Sequence, residues 1–322
     1  MNSDFEIFDM CVACKSLSVE YTLPNGFLGG PHEANFYTNN GFSRIAIRIE
    51  QIGYRKITLS AQEQLNAEIL FNAYQQLEKL LMLFDGRFIP ISKFVFSNSD
   101  LFTDDQLKIF SETIMQRRLS YYATADFLQY SANKLIDFDD VISSELFSKW
   151  ENLIGELDIV HQIILYSVSN SGLPVDAKCA FLIESAEPLV ELISVNKKCF
   201  SSLKPGAKGT SLKMCLDAII SKYGEDIFKE ELNNIYDKFL SILVKSRNRV
   251  MHIKRLQEKK CLSNEVAILY SIKLFCLIRR IIFELLGIEY SKYQENLISF
   301  IHKYNEWESV LKKFVQEVNS KN

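Results

Sequence analysis

The hydrophobic residues of this chain follow two different periods, and the change between them limits the folds that it can adopt. Up to about residue 142, short segments such as "KSLSVEYTL" and "FSRIAIRIE" alternate apolar and polar residues, a period typical of strands with one buried face. Beyond that point, apolar residues recur every three or four positions, as in amphipathic helices. The sequence therefore predicts an α+β N-terminal domain over residues 1–142 and an all-α helical bundle over residues 143–322.

Within the first domain, local signals predict the order of the elements. The stretch "LPNGFLGGPHEANFYTNNG" is rich in Gly, Pro and Asn, which favours turns and loops and places His32 in a loop. Ser60 and Glu63 have the spacing of a capping box and predict the start of a helix, which Gly86 ends. The segments "RFIPISKFVF" and "YYATADFLQY" predict further strands.

Six segments of the second domain have helical periodicity. The first includes His161, which we interpret as a core or interface residue, and Gly287 ends the fifth. The predicted helices span residues 143–168, 176–195, 211–224, 228–252, 263–287 and 291–318.

Charge and cysteine content exclude several classes of protein. The net charge of −3 is not that of a polycation, so any nucleic-acid binding has to come from a local patch. The longest apolar stretch is interrupted by Lys273, Arg279 and Arg280, which argues against a membrane span. The acidic start lacks the basic region of a secretory signal, and the seven cysteines are scattered. We therefore expect a cytoplasmic protein with reduced thiols and no membrane partner.

Positive charge is concentrated in one segment. Residues 245–260 contain seven basic residues and one acid, a net charge of +6, so the rest of the chain carries −9. A phosphate backbone would be attracted to this segment and repelled by most of the remaining surface. The alternative is a solvated helix end, where lysine and arginine complement the helix dipole.

The same segment contains residue types suited to cutting RNA. Asn248 and His252 are four positions apart and share a face of a continuous helix, while Arg247 is long enough to swing towards the histidine. The planar fork of arginine donates two parallel hydrogen bonds to a phosphate, and histidine transfers protons near neutral pH. The hypothesis is that His252 handles the proton of the 2′-OH or of the leaving oxygen, while Arg247 stabilises charge on the phosphate.

The string Arg247-Asn248-Arg249-Val250-Met251-His252 resembles the Arg-x4-6-His motif of HEPN domains. The order of "FSKWENLIGELDIVHQIILYSV", "AFLIESAEPLVELI" and the motif resembles the C-terminal HEPN domain of ApeA-like bacterial anti-phage abortive-infection proteins. The segment "LFNAYQQLEKLLMLFDGRFIPISKFVF" resembles the end of their N-terminal domain, so the likeness covers about residues 60–290.

This resemblance implies a metal-independent endoribonuclease without a cofactor, acting as a homodimer or higher homo-oligomer through its HEPN domain. It implies Arg247 and His252 as catalytic, Asn248 as their helper and Glu187 as a supporting residue. Because Pro188 would break a helix interior, Glu184 and Glu191 are possible substitutes for Glu187. The cations expected to bind RNA are Lys245, Arg249, Lys254 and Arg255.

The N-terminal domain would then sense a trigger, such as a phage component, or restrain the nuclease. Two other functions fit the same residues. HEPN bundles also serve as non-catalytic modules that bind RNA, nucleotides or proteins, and the motif could occur by coincidence in a structural or interaction protein.

Overall fold

The structure is a computed structural model. It describes residues 12–23, 31–40, 43–86, 89, 91–122, 134–156, 174–205, 209–252, 261–262, 264–302 and 305–320. The chain divides into two compact units, Met1–Ile154 and Gly155–Asn322. Among the described helices, none combines the length and the hydropathy that crossing a bilayer requires.

The first unit is built on an antiparallel five-stranded sheet in the order β2-β3-β4-β1-β5. Buried and more exposed side chains alternate along most of β1 and β3, which explains why the sequence pattern predicted these strands. The strands are β1 (Ala13–Tyr21), β2 (His32–Asn40), β3 (Ser43–Gln51), β4 (Arg55–Asn66) and β5 (Ile91–Ser97).

In the part of the first unit that the structure describes, the sheet is accompanied by the helices α1 (Ala67–Asp85), α2 (Asp104–Tyr122) and α3 (Ser144–Glu156). Aromatic contacts join α1 and α3 to the sheet, since Tyr74 lies edge-on to Phe94 and Phe147 lies edge-on to Phe36. The indole N–H of Trp150 also donates to the backbone oxygen of Gln76 at 2.7 Å, so α3 is fixed to α1. Aromatic contacts therefore hold α1 and α3 against the sheet.

Serine hydroxyls from two helices cap the outer strands of the sheet. The backbone N–H of Tyr37 on β2 donates to Ser144 Oγ at 2.9 Å, and that of Phe96 on β5 donates to Ser111 Oγ at 2.9 Å. Edge strands expose unpaired backbone groups that invite pairing with other chains. Each hydroxyl satisfies one such group and ties a helix to the sheet edge.

The described part of the second unit is helical. Its helices are α4 (Val175–Glu184), α5 (Ala186–Lys197), α6 (Leu212–Tyr223), α7 (Lys229–Asn234), α8 (Tyr236–Met251), α9 (Asn264–Leu286), α10 (Gln294–His302) and α11 (Asn305–Ser320). The long helix α9 is buried along most of its length and packs against α4, which in turn packs against α8. The prediction of an α+β region followed by a helical region is confirmed.

Several local predictions were wrong. His32 does not lie in a loop, because it begins β2, whose alternate residues Ala34, Phe36 and Thr38 are buried. The Asn-rich composition of this segment hid the alternation of buried and exposed residues.

The first predicted helix does not start at Ser60, which lies in β4. The helix cap is Asn66, whose side chain accepts from the Glu68 N–H.

Two predicted single helices are each divided. A break at Ser185 separates α4 from α5 and puts Pro188 in the first turn of α5, where a missing N–H is tolerated. A second break, at Ile235, separates α7 from α8.

The predicted end of α1 at Gly86 is confirmed, because Gly86 caps the helix with a left-handed φ of 67°. Of the predicted strand over 121–130, Tyr121 and Tyr122 belong instead to α2 and the rest lies outside the described residues.

Candidate active site

Helix α8 carries most of the predicted site residues. Its buried face is formed by Phe239, Leu240, Leu243 and Ser246, whose spacing continues the helical stripe read from the sequence. The Ser246 hydroxyl donates to the Ile242 backbone oxygen and accepts from the Leu262 N–H, both at 2.8 Å. The chain that returns after the motif is therefore anchored one residue before Arg247.

Two side chains, those of Glu184 and Asn248, accept hydrogen bonds from the guanidinium of Arg247. Its Nε and Nη2 donate to the two carboxylate oxygens of Glu184, the last residue of α4, and its Nη1 donates to Asn248 Oδ1 at 2.8 Å. The hydrogen bond that Arg247 donates to Glu184 raises the pKa of the guanidinium, and the negative charge of Glu187 adds to this rise. The side chain of Arg247 is 21% exposed, so the guanidinium is positioned but still reachable.

A second arginine of the motif is also paired. Arg249 Nη2 donates to Asp176 Oδ2 in the first turn of α4, and the Arg249 side chain is only 12% exposed. Asp176 and Glu184 lie at opposite ends of α4, so two ion pairs fix α8 along this helix. Sequence patterns could not identify Asp176, because it lies 73 positions before its partner.

His252 stands at the end of α8 and is exposed. Its backbone N–H donates to the Asn248 backbone oxygen at 3.2 Å, and within the described residues its imidazole makes no hydrogen bond. The structure thus places Arg247, Asn248 and His252 within the last two turns of one helix. Lys245, three positions before Asn248 on the same helix, is exposed.

The acids proposed as supporting residues occupy different positions. Glu184 contacts Arg247 directly, whereas Glu187 acts on it only through its charge. Glu191 is exposed and contacts none of the described site residues. The predicted RNA-binding residues Lys254 and Arg255 lie outside the described residues, as does His161.

One further cluster has ligand-like geometry, in the first unit. His32, Asp137 and Asp139 bring one nitrogen and two carboxylate oxygens within 4.8 Å of one another. His32 Nδ1 is 2.6 Å from Asp139 Oδ2, while the ammonium of Lys134 contacts Asp137 and lies 3.5 Å from His32 Nε2. With a lysine already among the acids, the cluster forms a compact ion-pair network that fixes the segment before α3 to β2.

Comparisons with known proteins agree with the position of the motif. The family model described as Apea-like HEPN matches residues 184–292, about a third of the chain, from Glu184 to just beyond α9. Neither the curated proteins nor the solved structures gave a match. The family match suggests a HEPN-type nuclease in anti-phage defence. Residues 184–292 are an ApeA-like HEPN domain.

Proposed function

We propose that this protein is a metal-independent endoribonuclease that acts in anti-phage defence by abortive infection. In the proposed reaction, a 2′-oxygen attacks the adjacent phosphorus, the P–O5′ bond breaks, and a 2′,3′-cyclic phosphate and a 5′-hydroxyl form. Arg247, Asn248 and His252 are the residues assigned to this chemistry. The observation that carries the proposal is the set of hydrogen-bond donors left on Arg247.

A guanidinium has five N–H donors. Glu184 takes two of them and Asn248 takes one, which leaves one N–H on Nη1 and one on Nη2 without an acceptor among the described residues. Two donors on adjacent nitrogens match two non-bridging oxygens of a phosphate. Arg247 would therefore bind the scissile phosphate and stabilise the charge that builds up in the transition state.

His252 supplies the proton transfer. Its exposed position at the end of α8 leaves the imidazole accessible to RNA, and a histidine can exchange protons near neutral pH. The reaction needs one proton removed from the 2′-oxygen and one delivered to the 5′-oxygen. A homodimer through the HEPN domain would bring two copies of His252 to one cleft, one for each transfer.

Cations around the motif would hold the RNA. Lys245 is exposed and, within the described residues, unpaired, whereas Arg249 is engaged by Asp176. We therefore assign Lys245 to phosphate contact and Arg249 to the positioning of α8, and we keep Lys254 and Arg255 as proposed RNA contacts.

The test uses purified wild-type protein and the Arg247→Ala and His252→Ala variants, each incubated with total cellular RNA and EDTA. The expected result is cleavage by the wild type in EDTA, with products ending in a 2′,3′-cyclic phosphate, and none by either variant. Lys197→Ala, a change of an exposed cation at the end of α5, serves as the matched control and should cut normally. Loss of wild-type cleavage in EDTA would refute the metal-free mechanism. Cleavage retained by both variants would refute the site, and salt-sensitive RNA binding without products would indicate a binding module.

A further inference from the structure

A cavity of about 310 Å³ opens in the second unit, away from Arg247. It lies between the region around α7 and α9, which belongs to the HEPN match, and the helices α10 and α11, which follow the match. None of its lining residues is part of the candidate active site. Its apolar walls are formed by Ile227, Leu269, Ile301, Leu311 and Val315.

A buried ion pair closes the inner side of this cavity. Lys273 lines the cavity but is only 2% exposed, and its ammonium lies 2.5 Å from Oε1 of Glu231, which is fully buried. The rings of Phe228 and Tyr270 face the same ammonium at 5.3 and 5.8 Å. Burial lowers the pKa of Lys273, while the Glu231 carboxylate opposes this shift.

The ammonium of Lys273 is not fully satisfied by hydrogen bonds. An ammonium has three N–H donors, and the described residues provide a hydrogen-bond acceptor for only one of them. A buried donor left without an acceptor destabilises the folded state. A ligand in the cavity that offers an acceptor to Lys273 would remove this cost.

The charges of the site favour a neutral ligand. At the inner side of the cavity, the positive charge of Lys273 is balanced by the negative charge of Glu231. The other titratable residues that line the cavity are Lys229, Lys312, His302, Asp226, Glu230 and Glu308. Three acids therefore balance two lysines and one histidine, and the rim has no excess of positive charge even with the histidine protonated. A phosphate or carboxylate would meet more repulsion than attraction there.

We propose that this cavity binds a neutral, largely apolar small molecule whose polar end carries an uncharged hydrogen-bond acceptor, as in a carboxamide. The acceptor takes an N–H of Lys273, the buried cation that lines the cavity. The apolar body packs against the five aliphatic side chains of the walls. The size of the cavity is at the lower end of the range for small-molecule sites.

The probe is benzamide, which combines a ring with a carboxamide. Benzoate and benzamidine have nearly the same shape but carry a negative or a positive charge. Each is titrated into full-length protein labelled with ¹³C in the methyl groups of Ile, Leu and Val, because the cavity walls supply five such residues. Benzamide should give saturable shifts at these methyls, and the two charged analogues should bind about tenfold more weakly or worse.

Variants test whether benzamide binds in the cavity or at another surface of the protein. Val315→Trp fills the opening without touching the ion pair and should abolish the benzamide shifts, while Val195→Trp, on an exposed position of α5, should leave them intact. Lys273→Met should weaken binding by at least about tenfold. The proposal is overturned if benzamide gives no saturable shifts, if the shifts survive Val315→Trp, or if benzoate binds as tightly as benzamide. Because these readouts do not involve RNA, failure here is independent of the proposed nuclease activity.

Discussion

Glu184 accepts hydrogen bonds from two nitrogens of Arg247, a residue 63 positions later in the chain. The pair joins the end of α4 to the last turns of α8, and Asn248 supports the guanidinium from the other flank. An arginine fixed in this way has lost most of its rotational freedom before a phosphate arrives. Such preorganisation lowers the entropy cost of binding a phosphate.

The first prediction concerns this pair. Glu184→Gln should lower the rate of RNA cleavage by about 10- to 100-fold, because small displacements of a positioning group are costly in a transition state. Glu187→Gln is the matched control, since Glu187 acts on Arg247 only through its charge, and it should stay near the wild-type rate. Single-turnover kinetics with a short labelled RNA would measure both. If Glu187→Gln is the slower variant, Glu187 and not Glu184 positions the arginine.

The second prediction separates two cations that look equivalent in the sequence. Lys245→Ala should reduce the salt dependence of RNA binding by about 0.7 in the slope of log K against log salt, the value expected for one phosphate contact on a single strand. The double variant Asp176→Asn with Arg249→Gln removes an ion pair without changing the net charge, and it should leave the slope unchanged. Fluorescence anisotropy over a range of salt concentrations gives these slopes. A reduced slope in the double variant alone would assign phosphate contact to Arg249.

Much of the fold could be predicted from the sequence, because its information is local. Alternating side chains revealed β1 and β3, and helical periodicity revealed the second unit. β2 was missed because Asn and Gly dominate the composition around it, although its buried residues alternate as in the other strands. The start of α1 was misplaced because a capping-box spacing also occurs by chance within a strand such as β4.

The site was only partly predictable, for a physical reason. Arg247, Asn248 and His252 are close in sequence, so one helix brings them together. The acids that pair with the motif are distant in the chain, and their contacts depend on how α4 packs against α8. The sequence count of +6 over residues 245–260 therefore overstates the free positive charge, because Arg247 and Arg249 are each paired with a carboxylate.

The third prediction follows from buried thiols in the second unit. Burial raises the pKa of both Cys179 and Cys276 to about 12, whereas a thiol in the unfolded chain titrates near 8.5. Between these values the folded state binds more protons than the unfolded state, so stability is fully present below about pH 8.5 and falls as pH rises. Each thiol contributes a slope of up to about 1.4 kcal/mol per pH unit.

Urea denaturation under reducing conditions between pH 7.5 and 10.5 would measure this slope. Cys276→Ala should lose about 1–2 kcal/mol at pH 7.5 through the cavity that it creates, yet show a shallower decline at higher pH. Cys261→Ser, at a half-exposed position, is the control and should decline as the wild type does. Parallel declines in the wild type and Cys276→Ala would contradict the assignment to Cys276.

The last prediction concerns the two serines that cap the sheet edges. Ser111 is 2% exposed, accepts from the Phe96 N–H and donates to the Leu107 backbone oxygen at 2.7 Å. Ser111→Ala would leave the Phe96 N–H without a partner in a buried place, and we expect it to cost about 1–3 kcal/mol of unfolding free energy. Ser144→Ala removes the equivalent bond to Tyr37 at an exposed site, where water replaces the hydroxyl, and should cost less than about 1 kcal/mol. Urea denaturation gives the two costs, and amide hydrogen exchange at Phe96 and Tyr37 reports each edge directly. Equal losses in the two variants would show that burial of the N–H does not set the cost.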